Sequence, residues 1–292
     1  MAAVYKKEIR AFANGMIGAI TVSFILLLTG IYTWVYSLRL GNPSFALSLS
    51  GNFILSANLV YVLVIPVLTM RSVAEEKHTR TDQLLYALPI PMWKVVAAKY
   101  FAMLTVLAVP CVVMCFYPIL LGSFGTMNYA ADYGAILAFF LLGAALAAIG
   151  LFISSLTESQ VLAAVISLIL FLLLFFLPLF APMIPADAVA SLVVFLILAA
   201  LAAVIVYLMT KNIFVAASVG VVLCAGILLV YIAKPALFTD AVPSILKGVS
   251  IFDRMTAYSD GLFDLGAIVF YISTAILFVW LTVQSMEKKR WM

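Results

Sequence analysis

Eight long apolar stretches constrain the fold of this chain more than any other feature. A helix needs about 20 apolar residues to cross a hydrocarbon core of about 30 Å. The stretches that reach or approach this length are 16–36, 53–70, 100–121, 134–156, 161–181, 188–209, 213–233 and 265–285. Because lipid cannot hydrogen-bond the backbone, spanning segments must be helices or closed barrels, and these stretches are too long for barrel strands. The sequence therefore predicts an all-α polytopic membrane protein with about eight transmembrane helices.

The apolar stretches contain no Asp, Glu, Lys, Arg or His, although the chain carries 28 charged residues and one histidine elsewhere. Ion-coupled carriers and intramembrane hydrolases usually place ionisable groups inside their spans, so this pattern weighs against both classes. The histidine, His78, falls in a polar segment and is expected to be a solvated helix residue, since one histidine cannot build a metal site. We therefore expect no catalytic residue, no bound cofactor and no metal ligand in this chain.

The distribution of cations predicts the orientation of the chain. With the N-terminus inside, twelve of the sixteen Lys and Arg residues fall in cytoplasmic segments. Only Arg39, Lys234, Lys247 and Arg254 remain outside, which is a clear positive-inside bias with both termini in the cytoplasm. The net charge of +4 is thus explained by topology and anionic lipid rather than by nucleic acid. The expected location is the plasma membrane of a prokaryotic cell.

Two amphipathic segments flank the apolar stretches. In Val4–Met16 the apolar residues recur at helical spacing while Lys6, Lys7 and Arg10 occupy the other face, which is typical of a helix in the inner headgroup plane. The alternative is a cationic flank that only anchors the first span. The external segment 234–264 has a similar pattern, and we expect it to cap a passage or rest on the outer leaflet.

The charged segment from Arg71 to Lys99 interrupts the series of spans and needs a cytoplasmic partner. It reads RSVAEEKHTRTDQLLYALPIPMWKVVAAK and holds five of the sixteen Lys and Arg residues. Asp82–Leu88 is predicted to be a short helix whose apolar edge is formed by Leu84, Leu85 and Leu88. Pro89 and Pro91 end this helix with a rigid turn, since each proline fixes its own φ and restricts the preceding residue. Such a helix can press into a groove on a partner; the alternative is a solvated loop whose leucines fold back on the bilayer.

Small residues mark possible sites of close helix contact. Gly143, Ala147 and Gly150 lie in one predicted span, and Ala199 and Ala203 lie in another. Small residues let helix backbones approach closely in membranes. We expect them to serve packing within the chain rather than a dimer interface.

Four segments, in order along the chain, resemble ABC-2-type permeases of the gliding-motility subgroup. The first is YKKEIRAFANGMIGAITVSFILLLTGIYTW, which resembles the K-E-[LI]-R opening of that family. The second is PVLTMRSVAEEKHTRTDQLLYALPIPMWKVVAAKYFA, which has the form R-S-x-A-E-E-K, then L-L, an L-P-[IV] turn and K-[YF]. The third and fourth are LFISSLTESQVLAAVISLILF and the C-terminal SIFDRMTAYSDGLFDLGAIVFYISTAILFVWLTVQSMEKKRW. The resemblance thus extends over the chain.

One departure from the family pattern falls beside the predicted short helix. The family commonly has Gly-Thr followed two residues later by Glu, whereas this chain reads Arg80-Thr81-Asp82-Gln83. The acidic residue is lost or displaced by one position. The resemblance in fold is unaffected, but an ion pair between that position and an ATPase does not follow from it.

The resemblance implies a membrane-spanning subunit of an ABC transporter that pairs with a separate P-loop ATPase. No G-x-x-x-x-G-K-[ST] motif occurs in the chain, so ATP and Mg would be bound by the partner. By analogy, the ATPase-coupling residues would be Thr81, Asp82, Gln83, Leu84, Leu85, Leu88, Pro89 and Pro91. Glu158, in the turn between the fourth and fifth spans, would form a second contact; its alternative role is to cap the following helix. A second permease copy, or a related permease, would complete the passage.

Three functions remain open at this point. An exporter permease is the leading hypothesis, and a transport-inactive scaffold or sensor that docks an ATPase is the alternative. A membrane enzyme or an ion-coupled carrier would need functional charges in the spans. A passage lined without charges suits lipids, amphiphilic peptides or hydrophobic drugs.

Overall fold

The computed structural model of this chain is helical, with no strand in the part of the chain that it describes. The described residues are 1–39, 44–50, 56–81, 91–124, 128–180, 183, 187–210, 213–234, 237–259 and 263–290. Since lipid leaves the backbone no other hydrogen-bond partners, apolar segments of this length satisfy their own polar groups as helices. The predicted all-α fold is confirmed.

Fourteen α-helices occur among the described residues. They are α1 (Ala2–Asn14), α2 (Met16–Thr33), α3 (Phe45–Ser50), α4 (Asn58–Met70), α5 (Ala74–His78), α6 (Met92–Met114), α7 (Tyr117–Leu121), α8 (Tyr129–Leu156), α9 (Gln160–Phe180), α10 (Ala188–Thr210), α11 (Ile213–Ala233), α12 (Ala241–Val249), α13 (Thr256–Ser259) and α14 (Leu265–Arg290). A π-helical turn, Trp34–Arg39, extends α2, and a 3₁₀ turn, Asp253–Met255, precedes α13.

Six helical segments in the described part are long and apolar enough to cross a membrane. They are Met16–Arg39, Asn58–His78, Met92–Leu121, Tyr129–Leu156, Gln160–Phe180 and Leu265–Lys288. Helices α10 and α11 occupy the two remaining predicted stretches, and the total of eight spans stays a prediction.

Two span helices extend beyond the N-terminal ends of their apolar stretches, and the additional turns carry buried ionisable groups. Helix α6 begins at Met92 and includes Lys99, and α8 begins at Tyr129 and includes Asp132. The Asp132 carboxylate accepts a hydrogen bond from Ala46 N at 2.9 Å and so caps the start of α3. The span helices are therefore not free of charge, in contrast to the apolar stretches themselves.

The chain divides into two compact units, one of residues 1–175 with 251–292 and the other of residues 176–250. In the first unit α8 forms the centre and packs against α3, α4, α6 and α14. Helix α4 approaches α8 closely at two glycines of α8. A Cβ on Gly143 would lie 2.9 Å from the Tyr61 ring, and a Cβ on Gly150 would lie 2.9 Å from Thr69 Cβ. The predicted packing role of these glycines within the chain is confirmed.

The predicted external segment 234–264 contributes to both units. Its second half belongs to the first unit, where Phe252, Met255 and Tyr258 are buried and Tyr271 Oη donates to Ile251 O at 3.0 Å. Its first half belongs to the second unit and contains the amphipathic α12. Capping and resting on a leaflet both stay predictions for this segment.

The second unit consists of residues 176–250, with α10, α11 and α12 as its complete helices. Helices α10 and α11 pack against one another. Phe238 is buried, and its ring makes edge contacts with Phe195 at 5.7 Å and Tyr231 at 5.4 Å between centroids. This aromatic cluster closes one end of the α10–α11 pair.

Candidate functional site

Lys99 lies at the centre of a buried ion cluster. Its Nζ atom donates to Ser72 O at 2.7 Å and forms ion pairs at 2.9 Å with Glu8 Oε1 and Glu76 Oε1. Lys99 is 1% exposed, and Glu8 and Glu76 are each 9% exposed. An ammonium group has three donors, so these three acceptors use its full capacity. Lys7 adds a second cation at 3.3 Å from the same oxygen of Glu76.

Helix α1 brings the first carboxylate to the cluster. Tyr5, Glu8 and Phe12 are spaced i, i+3 and i+7 and share one face of α1, which packs on α6. On that face the hydroxyls of Tyr5 and Thr105 hydrogen-bond at 2.8 Å. Because Glu8 meets Lys99 and Tyr5 meets Thr105, α1 and α6 run in opposite directions along one another. The predicted segment is helical, and its place in the headgroup plane stays a prediction. Met16 does not continue the apolar face, since α1 ends at Asn14 and Met16 begins α2 with 81% exposure.

The end of α8 holds α5 from the other side. Ser154 Oγ accepts hydrogen bonds from Val73 N at 3.2 Å and Ala74 N at 3.0 Å, where α5 begins. Lys77, which is also buried, donates to Ser155 O. These bonds satisfy backbone groups at the first turn of α5 and the last turn of α8, which a helix cannot satisfy within itself. Helix α5 is thus fixed to both α6 and α8.

A left-handed turn ends α5 and directs the chain into the predicted coupling residues. Arg80 has φ 56°, Thr81 N donates to Glu76 O at 2.9 Å, and Arg80 N donates to Lys77 O at 3.1 Å. This pair of bonds is the Schellman arrangement, in which glycine is the preferred residue at the left-handed position. Arg80 stands where the resembled family commonly has glycine, so this chain carries strain of about 1–2 kcal/mol there.

A cavity of about 270 Å³ lies between α1 and residues 71–81. Its lining includes Arg71 and Glu75, which form a two-pronged pair at 2.7 and 2.8 Å, as well as the charged groups around Lys99. The three cations and three carboxylates on this lining balance one another. The second carboxylate oxygen of Glu76, Oε2, is buried and accepts no hydrogen bond from the described residues. The charged groups on this lining thus join α1, α5 and α6 without net charge, and the bonds of Ser154 and Lys77 join α5 to α8.

Three of the predicted ATPase-coupling residues lie in the described part of the chain. Thr81 ends the left-handed turn and lines the charged cavity, Pro91 is the cap residue of α6, and Glu158 is exposed between α8 and α9. Ser159, the residue after Glu158, occupies the cap position of α9 and accepts from Leu162 N at 3.5 Å. The other predicted coupling residues, Asp82, Gln83, Leu84, Leu85, Leu88 and Pro89, lie outside the described residues.

Sequence reasoning missed the roles of Glu8, Lys99 and Ser154. The sequence analysis assigned no role to Glu8, although its spacing from Tyr5 and Phe12 places it on the apolar face of α1. A carboxylate on such a face indicates a buried partner, because burying an unpaired charge is expensive. His78 is exposed at the end of α5, as predicted. Within the described ranges, no group of His, Cys, Asp or Glu occurs that could hold a metal ion.

Comparison with known proteins gives one family. The model of a family described as ABC-2 family transporter protein matches residues 2–192, which is more than half of the chain and includes every residue of the ion cluster. No curated protein matches the chain, and no solved structure matches it.

Proposed function

Because the chain belongs to the family of ABC-2 transporter proteins, we propose that it is the permease subunit of an ATP-driven exporter. It would work with a separate P-loop ATPase, which binds ATP and Mg, and with a second permease copy or a related permease. Its resemblance to the gliding-motility subgroup rests on the four sequence segments and is part of this proposal.

The observation that supports the proposal best is the ion cluster around Lys99. Thr81 and Pro91 are the described residues at the two ends of the predicted coupling segment, and each is directly connected to a helix of the cluster. Thr81 follows α5, which carries Glu76, and Pro91 is the cap residue before α6, which carries Lys99. A push on a helix formed by 82–88 would therefore act on α1, α6 and α8 together.

The mechanism follows from this mechanical link. ATP binding closes the partner ATPase dimer, which moves the coupling segment of each permease. Buried ion pairs resist separation, because removing one partner leaves the other charge unpaired in a poorly solvated site. The cluster would thus move as a unit and convert motion at the ATPase into a rearrangement of the spans, with two discrete arrangements as such switches require.

Affinity purification of the full-length chain with its ATPase tests the docking step. We expect a P-loop ATPase to copurify in near-stoichiometric yield with the wild type and to be lost from the Leu84→Arg/Leu85→Arg variant, whose membrane insertion remains intact. The matched control is His78→Arg, which adds a cation at an exposed position of the same segment and should retain the ATPase. Unchanged association of the double variant would contradict docking on this edge.

Reconstitution distinguishes a transporter from a transport-inactive scaffold. A purified complex of permease and ATPase in vesicles should hydrolyse ATP faster when an amphiphilic substrate is present, and it should move that substrate. A complex that assembles but shows neither response would favour the scaffold.

A further inference from the structure

An apolar groove of about 490 Å³ runs along α6, α8 and α14 in the first unit. It is bordered by exposed aromatic and aliphatic side chains, among them Trp93 and Phe101 on α6 and Ile276 and Trp280 on α14. No charged residue is found among the described residues that line it. The groove lies apart from the ion cluster and is not used by the coupling mechanism.

The hydroxyl groups in the lining are already engaged by the backbone. Tyr100 Oη donates to Ala144 O at 3.1 Å, and Tyr271 Oη donates to Ile251 O at 3.0 Å. A polar ligand would therefore give up its water without gaining a donor from these hydroxyls, which is unfavourable. The lining of the groove therefore favours the hydrocarbon part of a ligand over a polar group.

The length of the groove matches one leaflet of a bilayer. Along α6 its lining extends from Trp93 to Leu104, which is about 16 Å at about 1.5 Å per residue. A hydrocarbon core of about 30 Å gives about 15 Å to each leaflet. One acyl chain in a single leaflet thus fits the groove better than a segment that crosses the membrane.

The end of the groove at Trp93 carries a cation at the predicted cytoplasmic headgroup level. Lys94 Nζ lies 5.5 Å from the centre of the Trp93 ring, and Trp93 itself lines the groove. Tryptophan and lysine are both enriched at this level of the membrane, where the indole N–H and the ammonium group can reach lipid phosphates. An apolar groove with a cation at one end is complementary to an anionic amphiphile.

We propose that this groove binds an anionic phospholipid of the cytoplasmic leaflet. One acyl chain lies between α6 and α14, and the phosphate contacts Lys94 and Trp93. This site does not take part in ATPase docking, so the test of lipid binding is independent of the test of the proposed function.

Photocrosslinking tests the site in the full-length chain. The protein is reconstituted in phosphatidylcholine vesicles that contain phosphatidylglycerol with a diazirine on one acyl chain, irradiated, and digested for mass spectrometry. We expect crosslinks on peptides that contain Leu104, Leu141 and Ile276. Unlabelled phosphatidylglycerol should compete better than added phosphatidylcholine, and this comparison uses only the wild-type protein.

Two matched pairs of variants locate the chain and the phosphate. Ala97→Phe places a ring in the groove and should remove most crosslinks, whereas Val112→Phe, on an exposed part of α6 outside the lining, should not. Lys94→Gln should reduce the preference for phosphatidylglycerol about fivefold, the effect of about one cation near the membrane surface. Lys6→Gln, which removes an exposed cation from α1, should leave that preference unchanged.

Three results would overturn the proposal. The first is an even spread of crosslinks over exposed apolar residues such as Ile169, and the second is equal competition by the two lipids. The third is efficient disulfide formation between copies of Ile276→Cys, which would identify a second copy of the chain as the occupant.

Discussion

Replacement of Lys99 by methionine tests whether the ion cluster holds the coupling segment in place. Methionine fills a similar volume but removes the cation from a site that is 1% exposed. Glu8 and Glu76 then remain together in a buried site, and the Ser72 carbonyl loses its donor. We expect the contacts among α1, α5 and α6 to open much more often than in the wild type.

The expected size of this effect follows from the geometry. Breaking a buried ion pair by removal of one partner costs about 3–5 kcal/mol. Lys7 remains 3.3 Å from Glu76, but its side chain is 65% exposed, so it compensates by at most about 1 kcal/mol. A net loss of about 3 kcal/mol raises the population of the open state about 150-fold.

Trypsin cleavage after Lys77 in inside-out vesicles measures this opening. Lys77 is buried and bound to Ser155 O, so cleavage there requires the segment to open. When closing is fast relative to cleavage, the rate is proportional to the open population. Lys94→Met is the matched control, because it removes a lysine from the same helix outside the cluster and should leave the rate unchanged.

A cleavage rate for Lys99→Met within about twofold of the wild type would refute this reasoning about buried charge. A second comparison separates charge from packing. Adding Glu8→Gln and Glu76→Gln to Lys99→Met removes the unpaired carboxylates and should restore most of the protection, since neutral replacements of a buried ion cluster are often tolerated. A triple variant as open as Lys99→Met would indicate that packing, not charge, is responsible.

Two further substitutions test particular backbone positions. Gly150→Ala places a methyl group 2.9 Å from Thr69 Cβ and should lower the free energy of unfolding in detergent by about 1–3 kcal/mol. Gly226→Ala is the control, because its methyl group meets nothing within 4 Å and should not lower this free energy. Equal losses in the two variants would contradict the packing argument. Arg80→Gly removes the strain of the left-handed turn and should slow cleavage after Lys77 about two- to fivefold, since part of the gain is offset by the flexibility of glycine in the unfolded chain. Arg80→Ala retains the strain and should match the wild type; equal slowing by both substitutions would mean that the turn is not the cause.

The sequence predicted the helical class, because it depends on local composition and spacing, whereas the coupling role of residues 71–99 stays a prediction. It did not predict the pairing of Glu8 with Lys99, which are 91 residues apart and come together only through packing of α1 on α6. Local periodicity shows which residues share a face of one helix, but it cannot show which charges of two distant segments meet. For Gly143 and Gly150 the sequence indicated close contact but not the partners, Tyr61 and Thr69.

The position of Lys99 along the chain has a consequence for how the protein is made. Both of its acidic partners precede it, and N-terminal segments are synthesised and inserted first. When α6 leaves the ribosome, the carboxylates of Glu8 and Glu76 have already been synthesised, so the ammonium group of Lys99 can pair with them as soon as α6 packs on α1. Insertion of the third span would then complete the ion cluster at this end of the first unit. In a nascent chain that stops before Lys99, Glu8 and Glu76 would lack this cation and stay exposed.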